Sequence, residues 1–300
     1  MPVLATISIL FLVMPIIIGI IIVTFNKKII LPKMHFQKIR YKALLFHSID
    51  NTHTFEQSQI NTYKFEQILK YLNRCHYQTL SAFELKLQLE KKNIPQKTPI
   101  ALLFDDGYEN FYTTVFPLLE KYRIKASVFP VVNCINDYYL WDIYKPKKHL
   151  SQIQIQEISD AGHEIGSHTL SHPDLTFLSD KDIIHELLES KKNLEDLTGK
   201  PVLTISFPFG SWNSRIWSIA SDLGYEVGIV YRNRIYNSSS FISPTGIYAF
   251  DSINDIVEKI ERANLLSPVH SRDIIMPHFA RGTSVWKYRK SYNILNYFKQ

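Results

Sequence analysis

Two short stretches hold the residues whose types and spacing could do chemistry. "ALLFDDGYEN" (Ala101–Asn110) ends an apolar run on the adjacent carboxylates Asp105 and Asp106, followed at once by Gly107. "SHTLSHPDL" (Ser167–Leu175) sets His168 and His172 four residues apart, a spacing that turns two imidazoles to one side on a helical turn or in a tight loop. Two imidazoles and one carboxylate make a three-ligand set that suits a divalent transition metal and leaves a position for water. Asp106 can be that carboxylate, and Asp105 can then face the same water as a base without binding the ion. Each stretch also has a plainer reading. Asp-Asp-Gly fits a type I turn whose carboxylates accept backbone N–H bonds, and histidines four apart are common on surfaces. The two stretches together favour the metal.

These residues must be positioned by the elements around them. Short apolar runs alternate with helical patterns along the chain. Strands are expected at Lys42–Ile49, Pro99–Phe104, Ala126–Val132, His163–His168, Val202–Phe207 and Glu226–Tyr231. Helices are expected in "NTYKFEQILKYLNR", in "YTTVFPLLEKYR" with a bend or late start at Pro117, and in "QIQIQEISDAG", stopped by Gly162. Two more are expected over Asp180–Leu197 and Trp212–Leu223. Such alternation implies a parallel sheet, open or closed into a barrel, with functional residues gathered at the carboxyl ends of the strands. His47, Asp105, Asp106, His168 and Pro208-Phe209-Gly210 all fall at or just past such an end.

Composition sets wider bounds. Three hundred residues with 45% hydrophobic and 21% charged suit one large domain with appendages. The net charge of +6 is modest, and no basic stripe interleaved with aromatics argues for nucleic acid. Val3–Phe25 carries no charge and is long enough to span a bilayer, with Pro15 and Gly19 tolerable inside it. No small-residue cleavage site follows, so the segment reads as an uncleaved anchor. Lys27, Lys28, Lys33, Lys38, Arg40 and Lys42 follow the span, and taken alone they put the globular part in the cytoplasm. Cys75 and Cys134 fit either free thiols in a reducing compartment or one bridge in an exported protein.

Over about Lys42–Lys259 the chain resembles the polysaccharide deacetylases that share the NodB homology domain, carbohydrate esterase family 4. "LFDDG" is similar to that family's first motif, and "HTLSHP" matches its second, H-[ST]-x-x-H-P. The resemblance implies Asp105 as catalytic base, with Asp106, His168 and His172 holding Zn²⁺, or Co²⁺ or Ni²⁺ in its place. "SFPFGSWN" resembles the third motif, R-x-P-[YF]-G, with Ser206 where many members have Arg. It implies that the Phe209 backbone N–H helps hold an oxyanion. His47, in "LLFHSID", together with "YLNRCHYQTLSAFEL", resembles the poly-β-1,6-N-acetylglucosamine de-N-acetylase branch, where a histidine at the first strand's end is the proposed general acid. His278, in "IIMPHF", is the second candidate for that acid. The family's usual arginine partner of the base has no counterpart, and Thr245 stands in its place.

The resulting expectation is a distorted (β/α)7-type barrel tethered by one N-terminal transmembrane helix. Residues 1–26 form the anchor, 27–41 a basic linker, 42–264 the deacetylase domain, and 265–300 an extension without a readable motif. The expected activity is metal-dependent removal of N-acetyl groups from an amino-sugar glycan such as a biofilm polysaccharide, releasing acetate. The expected location is the cell membrane, with a monomeric catalytic domain outside the cytoplasm, against the orientation that the flanking charges favour. A lipid-linked sugar at the cytoplasmic face, and a catalytically silent glycan-binding protein, are the alternative readings.

Overall fold

Strands β1 (Lys42–Phe46, KALLF) and β2 (Pro99–Phe104, PIALLF) are buried at every position. Continuous apolar runs of this kind belong to parallel strands covered on both faces, and the two pair in parallel from Lys42↔Ile100 to Phe46↔Phe104. The computed structural model describes residues 42–52, 56–91, 95–139, 147–230 and 239–261. The expected span Val3–Phe25, the basic linker, His278 and the 265–300 extension lie outside the described residues. Among the described residues no helix is long and apolar enough to cross a membrane.

From β2 the parallel order continues through β3 (Ser127–Val128) to β4 (Glu164–Ile165). A single parallel bridge, Ser167↔Ile205, leads on to β5 (Thr204–Ser206), which pairs with β6 (Val227–Ile229) and then β7 (Phe241–Ile242). On the other side of β1 lies β8 (Thr245–Gly246), in register Leu44↔Thr245. The strands expected after β2 are present but shorter than the apolar runs that announced them. Short strands not anticipated from the sequence also occur, such as Gln78–Leu80 beside β2.

The helices follow their local signals. α1 (Thr62–Arg74) starts on Asn61, whose side chain accepts from the Lys64 N–H, and α2 (Ala82–Glu90) starts on a Ser81–Glu84 capping box. A π-turn at Phe111–Val115 precedes α3 (Phe116–Tyr122), so Pro117 does mark a late helix start. α4 (Gln152–Asp160) opens on a Ser151–Gln154 box. α5 (Asp180–Thr198) runs from the Ser179 cap to Gly199 in the left-handed region. α6 (Ser214–Asp222) is capped by Asn213, and α7 is Ile253–Glu261. Cys75 is exposed, Cys134 is buried, and both are free thiols.

Alternation along the strands divides the core in two. Leu44, Phe46, Leu102, Phe104, Val128 and Ile205 join one cluster with helix residues such as Phe65, Leu69 and Leu187. Ala43, Leu45, Ala101, Leu103, Phe129, Val227 and Ile229 join the other with Ala82 and Leu85 of α2. Because side chains alternate with period two, the second face continues upward through His47, Asp105 and Ser206. Gly166 belongs to this face, where a Cβ would lie 2.4 Å from both the Phe129 ring and the Thr204 hydroxyl.

Candidate metal centre and active site

Asp105 is the first residue past β2, and its N–H donates to the Phe46 carbonyl at 3.0 Å, so the β1–β2 ladder reaches the site. The chain then turns sharply. Asp106 and Gly107 both have φ near +70°, a region Asp tolerates and glycine enters freely. At Gly107 a Cβ would also sit 2.7 Å from Pro130, so this position needs glycine for space as well as for conformation.

His168 follows β4, and its N–H donates to the Pro130 carbonyl at 3.2 Å. His168 Nδ1 lies 2.7 Å from the Ser206 carbonyl, which fixes the proton on Nδ1 and leaves Nε2 free to ligate. Thr169 and His172 have φ of 69° and 59°, so the loop reverses tightly and brings the second imidazole back over the first. The His172 N–H donates to the Thr169 hydroxyl at 3.0 Å, and the two ring centroids stand 4.9 Å apart.

The result is a compact group. Asp106 Oδ1 lies 3.5 Å from His168 Nε2 and 3.7 Å from His172 Nε2. One ligand atom from each of the three residues falls within 4.8 Å of the others. An ion about 2.1 Å from each atom sets tetrahedral ligands about 3.4 Å apart, which is the spacing of a shared cation rather than of good hydrogen bonds. Asp105, Asp106, His168 and His172 are only 2%, 6%, 2% and 5% exposed.

The charges have the same preference. Burial pushes Asp106 up, but the His168 imidazole beside it and the His47, His172 and His168 charges outweigh this and hold the carboxyl well below the usual range. Burial also works against a charged His168, yet Asp105, Asp106 and the Ser206 carbonyl raise it overall. The pocket therefore favours positive charge at its centre, and a cation among these three side chains fits both the geometry and the field. Asp105 is different. Burial raises its pKa, and the charges of His168 and His47 only partly offset this. A carboxylate that holds its proton more firmly than usual is a stronger base once ionised.

His47 is half-buried between β1 and the short strand Ser48–Ile49, and its charge acts on both aspartates. The Asn110 amide donates to the Ser48 hydroxyl at 2.7 Å, tying the His47 segment to the Asp-Asp-Gly turn. Phe209 has φ 58°, and its ring meets the His172 ring at 4.8 Å. Thr245 is level with Leu44 and Leu102, three residues short of Asp105, so its register puts it below the site. The charges acting on Asp105 are those of His168, His47 and Asp106.

The sequence reading missed two supports. One is the Ser206 main chain, read only as a departure from a motif. The other is Glu186 of α5, which falls on a buried stripe with Ile183, Leu187, Ser190 and Leu194. A carboxylate on a mostly apolar stripe is a signal that the sequence did contain.

The polysaccharide deacetylase family matches residues 92–228, which include both aspartates, both histidines and Phe209. This segment belongs to that family. The family consists of hydrolases that act on the N-acetyl amide bonds of sugars. YxkH of Bacillus subtilis, whose name assigns it to the polysaccharide deacetylases, is 30% identical over 186 residues, covering 62% of each chain. A poly-β-1,6-N-acetyl-D-glucosamine N-deacetylase of Staphylococcus aureus is 23% identical over 205 residues, 65% of this chain and 70% of its own. The Streptococcus pyogenes deacetylase PplD, solved with acetate, superposes with a TM-score of 0.65 at 24% identity, covering 73% of this chain and 97% of that one. The last likeness shows the α/β fold. The chain spans less than two thirds of the length of the first curated relatives it matches.

Proposed function

We propose that the protein is a metal-dependent de-N-acetylase of an amino-sugar glycan, built on a distorted (β/α)7-type barrel. The observation that carries the reading is the buried convergence of Asp106, His168 and His172, with Asp105 beside them, inside a polysaccharide deacetylase segment. Asp106, His168 and His172 would hold the ion, with Zn²⁺ the best fit to two imidazoles and a carboxylate and Co²⁺ or Ni²⁺ as substitutes. Bound there, such an ion supplies a Lewis acid and lowers the pKa of water.

The rest falls to the chain's own side chains. Asp105 takes the proton from the attacking water, since its ionised form is unusually basic in this surrounding. The Phe209 N–H donates to the substrate's carbonyl oxygen as charge develops on it. His47 delivers a proton to the departing nitrogen. Water and an N-acetyl group are consumed, and acetate and a free amine leave, adding a positive charge to the glycan.

The likeness to the staphylococcal deacetylase supports a poly-N-acetylglucosamine-like surface polysaccharide as substrate. On that substrate the chain is a single-pass membrane protein anchored by Val3–Phe25, with its catalytic domain monomeric and outside the cytoplasm. The lysines after the span favour a second reading, a lipid-linked sugar at the cytoplasmic face, and a reporter fused at Gln300 separates the two.

The deciding assay incubates the purified full chain with a panel of N-acetylated oligosaccharides, with and without chelator, and measures acetate. Release that a chelator abolishes and Zn²⁺ restores is the expected result. No release from any amino-sugar, or release indifferent to chelator, overturns the reading.

A further inference from the structure

We propose that Glu186 is the positioning residue that sets the geometry of the two imidazoles, acting from α5 on the loop between them. This inference rests on the reading of Asp106, His168 and His172 as the metal site. Glu186 is 8% exposed and faces inward from the middle of a 19-residue helix. Its Oε2 accepts from the Leu170 N–H at 3.0 Å and from the Ser171 N–H at 2.9 Å, while Oε1 accepts from the Ser171 hydroxyl. Residues 170 and 171 lie at the centre of the five-residue segment His168–His172. A single carboxylate thus gathers the loop's middle from behind.

The loop needs that hold. Thr169 and His172 are both non-glycine residues in the left-handed region, and Thr169 is β-branched. Such conformations persist only where surrounding contacts over-determine them. The opposite side of the loop is tied by its carbonyls, Thr169 accepting from the Val132 N–H at 3.3 Å and Leu170 from the Asn133 N–H at 2.9 Å. Among the described residues only Glu186 engages the N–H groups of residues 170 and 171, by charge-assisted bonds stronger than neutral ones. Without it two amides lose their acceptor at the point where the chain reverses, and His172 is free to drift from Asp106. A neighbouring bond, the Ser167–Ser190 hydroxyl pair at 2.6 Å, ties the start of the same segment to the same helix. α5 therefore serves as the rigid template for the histidine pair.

The test uses the purified full chain as wild type, Glu186→Ala, Glu186→Gln, Ser171→Ala and, as a control on the exposed side of α5, Lys192→Ala. Two quantities are read for each: the Zn²⁺ dissociation constant against a competing chelator, and the melting temperature of the metal-free protein. Glu186→Ala is expected to weaken Zn²⁺ binding by about 10- to 100-fold, the usual effect of losing a residue that orients a ligand. Glu186→Gln keeps one acceptor oxygen and is expected to recover most of that loss, remaining about three- to tenfold weaker than wild type. Lys192→Ala should match wild type in both quantities.

A merely structural Glu186 lowers the melting temperature and leaves the affinity of the folded protein alone. A folded Glu186→Ala protein binding Zn²⁺ as tightly as wild type overturns the proposal. Should that variant fail to fold, Glu186→Gln and Ser171→Ala decide, and unchanged affinity in both is the overturning result. If wild type itself binds no Zn²⁺, the metal-site reading fails and this inference falls with it. Tight binding by wild type and Glu186→Ala alike removes only the role of Glu186.

Discussion

The two ends of one face of the parallel sheet treat polar groups in opposite ways. At the amino end, Ser127 and Glu164 stand opposite one another on β3 and β4. The Glu164 carboxylate accepts from the Ser127 hydroxyl at 2.6 Å and from the Phe83 N–H at 3.2 Å, and the Ala82 N–H donates to Ser127 at 2.8 Å. Two otherwise orphaned amides at the start of α2 are thereby satisfied from across the sheet. At the carboxyl end, two carboxylates are adjacent in sequence, and the nearest imidazole nitrogens lie 3.5 and 3.7 Å from Asp106, too far to make good hydrogen bonds. Burial raises the pKa of both Glu164 and Asp105, so desolvation alone does not distinguish the ends. Local satisfaction does. A polar group whose donors and acceptors are all supplied by the fold stabilises it, and one held short of its partners is poised for something the fold does not supply.

The sharpest way to break the contrast is at the carboxyl end. His168→Ala is expected to abolish both metal retention and deacetylation. Asp105→Asn is expected to retain the metal and lose activity by about 10²- to 10⁴-fold. Elemental analysis beside an acetate assay reads both, and full activity in either variant contradicts the division of labour between the two aspartates.

At the amino end the expectation is reversed. Glu164→Ala should destabilise the fold by about 1–3 kcal/mol, because the Phe83 N–H and Ser127 hydroxyl lose their acceptor. Metal affinity in the folded protein should be unchanged. Chemical denaturation and a Zn²⁺ titration separate the two, and a large loss of affinity would mean that the ends are coupled.

Phe209→Tyr asks for less. In the proposed mechanism only the main-chain N–H of this residue is used, so kcat should stay within about threefold of wild type. A loss of a hundredfold would transfer the role to the ring, which packs 4.8 Å from that of His172.

The smallest effect concerns pH. His163 is neutral in the fold, because its Nδ1 accepts from the Ala126 N–H at 3.2 Å while Nε2 lies 3.2 Å from Glu120. Burial holds its pKa below 6.5, against the pull of Glu120. Its contribution is complete above about pH 6.5 and is lost as pH falls through the depressed folded value. His163→Gln should flatten the melting-temperature profile below about pH 6.5, and an unaltered slope would assign the acid sensitivity elsewhere.

Much of the site was legible because its residues announce themselves locally. Asp105 and Asp106 end an unbroken apolar run, and the His168 and His172 pair, weak as a signal alone, gains its weight beside them. The strand and helix alternation was legible for the same reason, since period and caps are local properties. The lengths of β3 to β6 were not, because an apolar run goes on being buried after its ladder bonds end. Glu186 and the Ser206 carbonyl were overlooked because their work is done on residues 15 or more positions away.

The sequence by itself determined the chemistry on offer: two carboxylates at a strand mouth, two imidazoles four apart, and a Pro-Phe-Gly turn. It also determined the alternation that sends such strand ends to one side of a sheet. Tertiary structure alone decided that Asp106 meets both imidazoles, that the Ser206 carbonyl fixes the tautomer of His168, and that a helix carboxylate holds the loop between the histidines. Residue type and spacing set what a side chain can do. The pairing of distant segments sets the ångström-scale separations on which ligation, proton transfer and desolvation depend.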